Sequence, residues 1–250
     1  MNENQFKISI ITVCLNSEKT IERCIRSVLN QKYDKIKIEL IVIDGGSNDN
    51  TIKIIKRYES MISHWQSEKD RGLYFAMNKG LKLANGDIIG ILNSDDYYYP
   101  NTFKIVNEYF NKFNLDYLFG SINHHKIYHG FYPKKIWYKF NVVPSHSVSF
   151  FIKRISQFKV GFYNTKFKYS ADRDLFYRLV KSNLKGMATK KMEIFGKFAT
   201  DGLSSRLSYF SVLMEELKIR VNNKQNLFFL FFLFMATFVY KILAQILRKK

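Results

Sequence analysis

"GDIIGILNSDDYYYP", residues 86–100, decides how this chain is read. Asp87 to Leu92 form a short run of mostly apolar, β-branched residues, the pattern of a strand buried on both faces. Asp95 and Asp96 stand side by side just beyond its end. Taken alone, "NSDD" fits an Asx-type turn that closes a strand. Adjacent carboxylates also repel, in a chain of 250 residues with a formal net charge of +19. A divalent cation would resolve that repulsion, because hard cations prefer carboxylate, water and phosphate oxygens.

Outward from this stretch, strand and helix patterns alternate. "KISIITV" (7–13), "ELIVID" (39–44) and "DYLFGS" (116–121) read as strands, and "SHWQSE" (63–68) as a weaker one. "SEKTIERCIRSVLNQ" puts Ile21, Cys24, Ile25, Val28 and Leu29 on one helical face, with Ser17 as N-cap. Further helices are predicted from near Asn50, over "LYFAMNKGLKLANG" ending at Gly86, and over "NTFKIVNEYFNKF" with Pro100 in its first turn. This order predicts an α/β fold, a Rossmann-like, mainly parallel sheet with helices on both faces. Ligands of such sheets gather beyond the carboxyl ends of the strands, where Asp44, Asp95 and Asp96 converge. "CLNSEKT" after the first strand has no glycine, which excludes the usual nicotinamide or flavin fingerprint. Later, "HSVSFFI" and "IFGKFAT" read as strands, and "SADRDLFYRLVKSN" and "SSRLSYFSVLMEELKIRVNN" as helices.

Composition narrows the class. Cys14 and Cys24 suggest neither a disulfide framework nor a zinc site, and a reducing compartment fits. "MNENQFKISIITV" lacks a basic region followed by a long apolar one, so no secretory signal is expected. Residues 1–150 hold 20 Lys/Arg against 15 Asp/Glu, whereas residues 151–250 hold 20 against 6. The basic C-terminal part suits an anionic partner, whether nucleic acid, a phosphorylated substrate or an anionic membrane surface; with the other features, a membrane surface and no nucleic acid is expected. A solvated lysine-rich surface would give the same charge count.

The motifs "ISIITVCLNSEKTIERCIRSVLNQ", "VIDGGSNDNT", "DRGLYFAMNKGLKLANGDIIGILNSDD" and "SADRDLFYRL" together resemble family 2 glycosyltransferases, inverting enzymes of the GT-A fold, over residues 7 to 180. The resemblance implies a nucleotide-sugar donor, typically UDP-linked, and a divalent metal (Mg2+ or Mn2+). It divides residues 1–222 into a nucleotide-sugar-binding half (1–121) and an acceptor-binding half (122–222). Asp44 matches the acid that bonds to the nucleobase. The stretch containing Thr12, Val13, Asn16 and Glu18 matches the surroundings of base and ribose. Asp95 and Asp96 match the acidic, DXD-like metal motif, with Asp95 near the ribose and Asp96 coordinating. Asp172 matches the general base that deprotonates the acceptor hydroxyl, with Asp174 as the neighbouring alternative and Ala171 in place of the usual Glu. His146 matches a polar position facing the acceptor. Arg71 and Lys79 face either the donor diphosphate or solvent, and Asn78 belongs to "YFAMNKG", where Phe75 replaces the family's frequent Asp.

Beyond residue 222, "NLFFLFFLFMATFVYKILAQIL" (226–247) precedes "RKK". As a helix, 227–247 would extend about 31 Å, enough to cross a hydrocarbon core. Lys241 and Gln245 interrupt it, so an interfacial helix, a full span and a buried core helix all remain open. The combined expectation is a transferase at the cytoplasmic face of a membrane, adding sugar to a glycan or lipid-diphosphate-linked saccharide. A nucleotidyltransferase, or an inactive basic membrane-binding module, is the alternative.

Overall fold

The computed structural model describes residues 5–31, 33–138, 147–199 and 208–247. Seven strands form the main sheet: β1 (Phe6–Cys14), β2 (Ile36–Asp44), β3 (His64–Ser67), β4 (Ile88–Asn93), β6 (Tyr117–Phe119), β9 (Phe150–Lys153) and β10 (Gly186–Ala188), in the order β10-β6-β9-β4-β1-β2-β3. β9 runs antiparallel to both neighbours and the other pairings are parallel. A smaller sheet holds β5 (Tyr97–Tyr98), β7 (Ser121–Asn123), β8 (Ile127–Tyr128) and β11 (Ile194–Lys197). The helices are α1 (Ile21–Leu29), α2 (Thr51–Arg57), α3 (Leu73–Leu83), α4 (Thr102–Phe113), α5 (Arg154–Val160), α6 (Ala171–Lys181), α7 (Tyr209–Asn222) and α8 (Leu227–Leu247).

Side-chain alternation along β1 explains the two layers. Ile8 and Ile10 pack with Ile21, Cys24, Ile25 and Val28 of α1 and Phe103, Val106 and Phe110 of α4. Ile11 and Val13 pack on the other face, with Tyr74, Met77 and Leu81 of α3 and Leu175, Phe176 and Leu179 of α6. Gly80 lets α3 come close, since a Cβ there would lie 2.3 Å from Ile11 Cγ2.

The expected strands 7–13, 39–44, 63–68 and 87–92 correspond to β1 to β4. Ser17 is not the cap of α1. Its carbonyl accepts from Thr20 and Ile21 in a preceding turn, while its hydroxyl bonds Ser94 Oγ at 2.8 Å. The third helix ends at Leu83, because Ala84 is extended and Gly86 is wedged against Ser9. Pro100 lies two residues before α4, whose N-cap Asn101 is left-handed. "IFGKFAT" contains β11 as expected, whereas β10 and the short strands β5 and β8 went unforeseen.

A buried polar knot joins the C-terminal helices to the domain. The Ile136 carbonyl accepts from Tyr177 Oη (2.9 Å), Arg220 Nη1 (2.7 Å) and Gln225 Nε2 (3.1 Å). Glu216 lies between Arg173 (2.9 Å) and Arg220 (3.3 Å). From this anchor α8 departs with Phe228 79% exposed and Phe231 and Phe232 also exposed, while Leu230 is buried. Among the described residues, no helix is long and apolar enough to cross a membrane.

Candidate active site

The chain places β2 and β3 on one side of β1, then β4 on the other. This reversal opens a crevice beyond the carboxyl ends of β1 and β4, the usual ligand position in such sheets. Backbone pairing of Ser94 N with Val13 O and the Ser17–Ser94 hydroxyl bond close its floor.

Asp96 is fully buried in the turn after β4. One carboxylate oxygen, Oδ1, accepts from Ala199 N at 2.8 Å. That backbone arrives because β5, directly after the acidic pair, pairs with β11. Among the described residues, the other oxygen, Oδ2, is buried without a hydrogen-bond partner. Burial, and then the charge of Asp95, push the Asp96 carboxyl well above the ordinary range. Burial also raises Asp95, against which the Arg23 guanidinium acts. Arg23 donates to the Asp95 carbonyl at 2.9 Å and lies over the Tyr97 ring. Among the described residues, no three His, Cys, Asp or Glu side chains gather as a metal cage.

Asp44 ends β2 fully buried. Its Oδ2 accepts from Gly46 N, Ser47 N and Ser67 Oγ, and its Oδ1 from Ser47 Oγ, with Cys14 Sγ at 3.5 Å. Burial works to raise this carboxyl, but the Ser47 and Ser67 bonds outweigh it and hold it low. Asp44 thus shapes the loop that follows it. Beside it, a Cβ built on Gly45 would lie 3.0 Å from Asp70 Oδ2. Asp70 Oδ1 accepts from Gly72 N at 2.8 Å, and among the described residues its Oδ2 accepts no hydrogen bond. Gly45 N bonds the Cys14 carbonyl, and the next residue, Leu15, is 57% exposed.

The other candidates divide into lining and support. Thr12 is buried in the sheet with its hydroxyl 3.7 Å from Cys24 Sγ, and Val13 is buried too. Asn16, left-handed at φ 49°, takes Asn48 N on its Oδ1, and Glu18 takes Asn50 N and Nδ2. These two residues lace the loop after β1 to the loop after β2. Asn78 clamps Tyr163 through both backbone groups, and Lys79 pairs with Glu68. Arg71 is exposed. His146 lies outside the described residues.

Asp172, in the first turn of α6, is partly exposed and accepts from Tyr74 Oη at 3.2 Å. Burial, and then the Asp172 charge, raise the Tyr74 phenol, which therefore stays a proton donor. Asp174 is buried and occupied by Arg178 (2.9 Å) and Asn223 (3.3 Å). Arg178 also binds the Val160 and Phe162 carbonyls, so this group is a structural tie. Sequence reasoning missed Arg23, Tyr74 and Asp70. All three lie inside the quoted motifs, Asp70 beside Arg71, Tyr74 beside Phe75 and Arg23 beside Cys24.

The family model described as Glycosyl transferase family 2 matches residues 9–179. The chain belongs to this family. Among family relatives, poly(ribitol-phosphate) beta-N-acetylglucosaminyltransferase TarP of Staphylococcus aureus is 33% identical over 117 residues, 46% of this chain and 36% of TarP. UDP-Glc:alpha-D-GlcNAc-diphosphoundecaprenol beta-1,3-glucosyltransferase WfgD of Escherichia coli is 35% identical over 140 residues, 54% of each chain. The chain thus spans about a third to a half of the length of these relatives. Staphylococcus aureus TarS 1–349 in complex with UDP-GlcNAc superposes with a TM-score of 0.66 at 16% identity, covering 88% of this chain and 68% of that one. Mannosyltransferase PcManGT from Pyrobaculum calidifontis, in complex with GDP-Man and Mn2+, gives 0.64 at 17%, covering 88% and 63%. These structural likenesses carry the fold alone, an α/β architecture consistent with GT-A.

Proposed function

We propose that this chain is an inverting glycosyltransferase. It transfers one sugar from a UDP-linked donor to a glycan or lipid-diphosphate-linked saccharide during synthesis of a cell-surface polysaccharide. The observation that carries the reading is Asp96 Oδ2, without a hydrogen-bond partner among the described residues and buried at the ligand edge of the sheet beside a second acid. A buried carboxylate without a partner is costly unless a cation or ligand completes it. Asp96, with Asp95, would hold a Mg2+ or Mn2+ ion, which takes one or two carboxylates and fills its remaining positions with water and phosphate oxygens. When bound, that ion would supply Lewis-acid stabilisation to the leaving nucleoside diphosphate.

Asp172 performs the other half of the chemistry. Its carboxylate accepts the acceptor hydroxyl proton as that oxygen bonds the anomeric carbon and the sugar–phosphate bond breaks. A single displacement of this kind inverts the configuration. Tyr74 orients the base through its hydrogen bond, and Asp174 is withheld by Arg178. Exposed phenylalanines on α8, within a strongly basic C-terminal part, support residence at an anionic membrane surface on the cytoplasmic side. Nucleoside diphosphate release from a panel of UDP-, GDP- and dTDP-sugars, with Mn2+ or Mg2+ and then with chelator, tests the reading. Release and transfer from a UDP-sugar, abolished by chelator, are expected; no release from any donor would refute it.

A further inference from the structure

The resemblance assigns base recognition to Asp44, yet both Asp44 oxygens already take hydrogen bonds from Gly46, Ser47 and Ser67. A carboxylate so saturated reads a ligand only by giving up donors that fold its own loop. The next position, where an acid would project from the same turn, is Gly45. Its missing side chain leaves the space that Asp70 enters from the loop after β3, with Oδ2 3.0 Å from where a Gly45 Cβ would stand. This oxygen accepts no hydrogen bond among the described residues, while Oδ1 is fixed by Gly72 N. Leu15, exposed at the adjoining end of β1, adds an apolar surface one residue from the Cys14–Gly45 bond.

We propose that Asp70, held over Gly45, is the nucleobase-reading carboxylate of this chain, accepting a ring N–H from the pairing edge of the base. The assignment rests on the nucleotide-sugar reading above. A fixed carboxylate accepts from uracil, whose ring nitrogen carries a hydrogen between two carbonyls. It rejects cytosine, whose corresponding nitrogen offers a lone pair, because two acceptors would then face each other unpaired. Apolar contact with Leu15 would add affinity without discriminating between the two.

The test is calorimetric binding of UDP and CDP to the full-length protein, the wild type against Asp70→Asn. The amide keeps an oxygen for Gly72 N but turns the other position into a donor. UDP affinity should fall by about 10- to 100-fold, the scale of one hydrogen bond to a charged group, while CDP affinity holds or rises. Asp44→Asn should not invert the preference. A second comparison moves the acid: Asp70→Ala should lose UDP preference, and Asp70→Ala with Gly45→Asp should regain it. Gly45 is outside the set of positive-φ glycines, so an aspartate is compatible with its backbone. Equal losses for UDP and CDP, unchanged UDP binding, or inversion by Asp44→Asn would each overturn the assignment. So would a folded double variant that binds UDP no better than Asp70→Ala. If the wild type binds neither nucleotide, the nucleotide-sugar reading itself fails. UDP binding that survives Asp70→Asn sinks only the role of Asp70.

Discussion

Arg220→Met probes the buried knot that ties the C-terminal helices to the sheet domain. Arg220 is fully buried, and Glu216 is 1% exposed between it and Arg173. The substitution keeps much of the side-chain volume but removes donors to the Ile136 carbonyl and Gln225 Oε1, and one partner of a buried carboxylate. Breaking a buried ion pair from one side costs about 3–5 kcal/mol, because the surviving charge stays buried. Arg173 remains 2.9 Å from Glu216, and Tyr177 and Gln225 still satisfy Ile136, which places the loss near the lower end, about 3 kcal/mol. At roughly 2–4 °C per kcal/mol for a chain of this size, the melting temperature should fall by about 6–12 °C. Urea denaturation followed by circular dichroism measures the free energy directly. Adding Glu216→Gln to Arg220→Met removes the stranded charge and should recover part of the loss. A loss below about 1 kcal/mol, or a double variant less stable than the single one, would refute the reasoning.

Asp96→Asn should abolish metal-dependent donor binding and transfer without destabilising the free protein, since the Ala199 bond survives and a buried charge disappears; calorimetry with and without Mn2+ checks both. Asp172→Asn should lower kcat by about 10²–10⁴ with donor affinity intact, whereas Asp174→Asn should mainly lower the melting temperature by breaking the Arg178 tie. An active Asp172→Asn enzyme would move the base elsewhere. Glu39 is held below its ordinary value of 4.5: burial works to raise it, and Lys7, Ser9 and the Asn85 amide overcome this. That contribution is present above pH 4.5 and lost as pH falls through the lower folded-state value. Glu39→Gln should therefore be less stable than wild type at pH 7 by about 1–3 kcal/mol, with the gap closing in acid. A chain ending at Asn226 should stay in the supernatant when anionic vesicles are pelleted, while the full-length protein should pellet. Equal pelleting would place the membrane contact outside α8.

The core strands were legible because β1, β2 and β4 are buried on both faces and so spell continuous apolar runs. Asp44, Asp95 and Asp96 were legible for a related reason, as acids set at the ends of such runs. β10 was not, since "GMA" is three half-buried residues whose pairing with β6 depends on distant chain. The two-residue strands β5 and β8 of the small sheet carry equally little local signal, unlike β11 in "IFGKFAT". The burial of Arg220 was not legible because its partners lie four, five and 84 residues away, and only the fold gathers them. Asn16 and Glu18 illustrate the same limit: their bonds run 32 residues along the chain to the neighbouring loop.

β9 comes from the second half of the chain yet lies between β4 and β6, both from the first half. Its reversed direction starts it at the carboxyl end of β6, and Ser147 just before it meets Asn93 at the end of β4. The two halves are therefore interleaved rather than juxtaposed. A fragment stopping at residue 121 would leave β4 with an open, largely apolar edge and β6 without either of its sheet neighbours, β9 and β10, a template for association with other chains. During synthesis, the β4 edge stays open and β6 unpaired until residues 150–153 emerge. Complementation by separately expressed halves would then depend on inserting one short strand into the middle of a sheet, a far harder event than docking two finished surfaces.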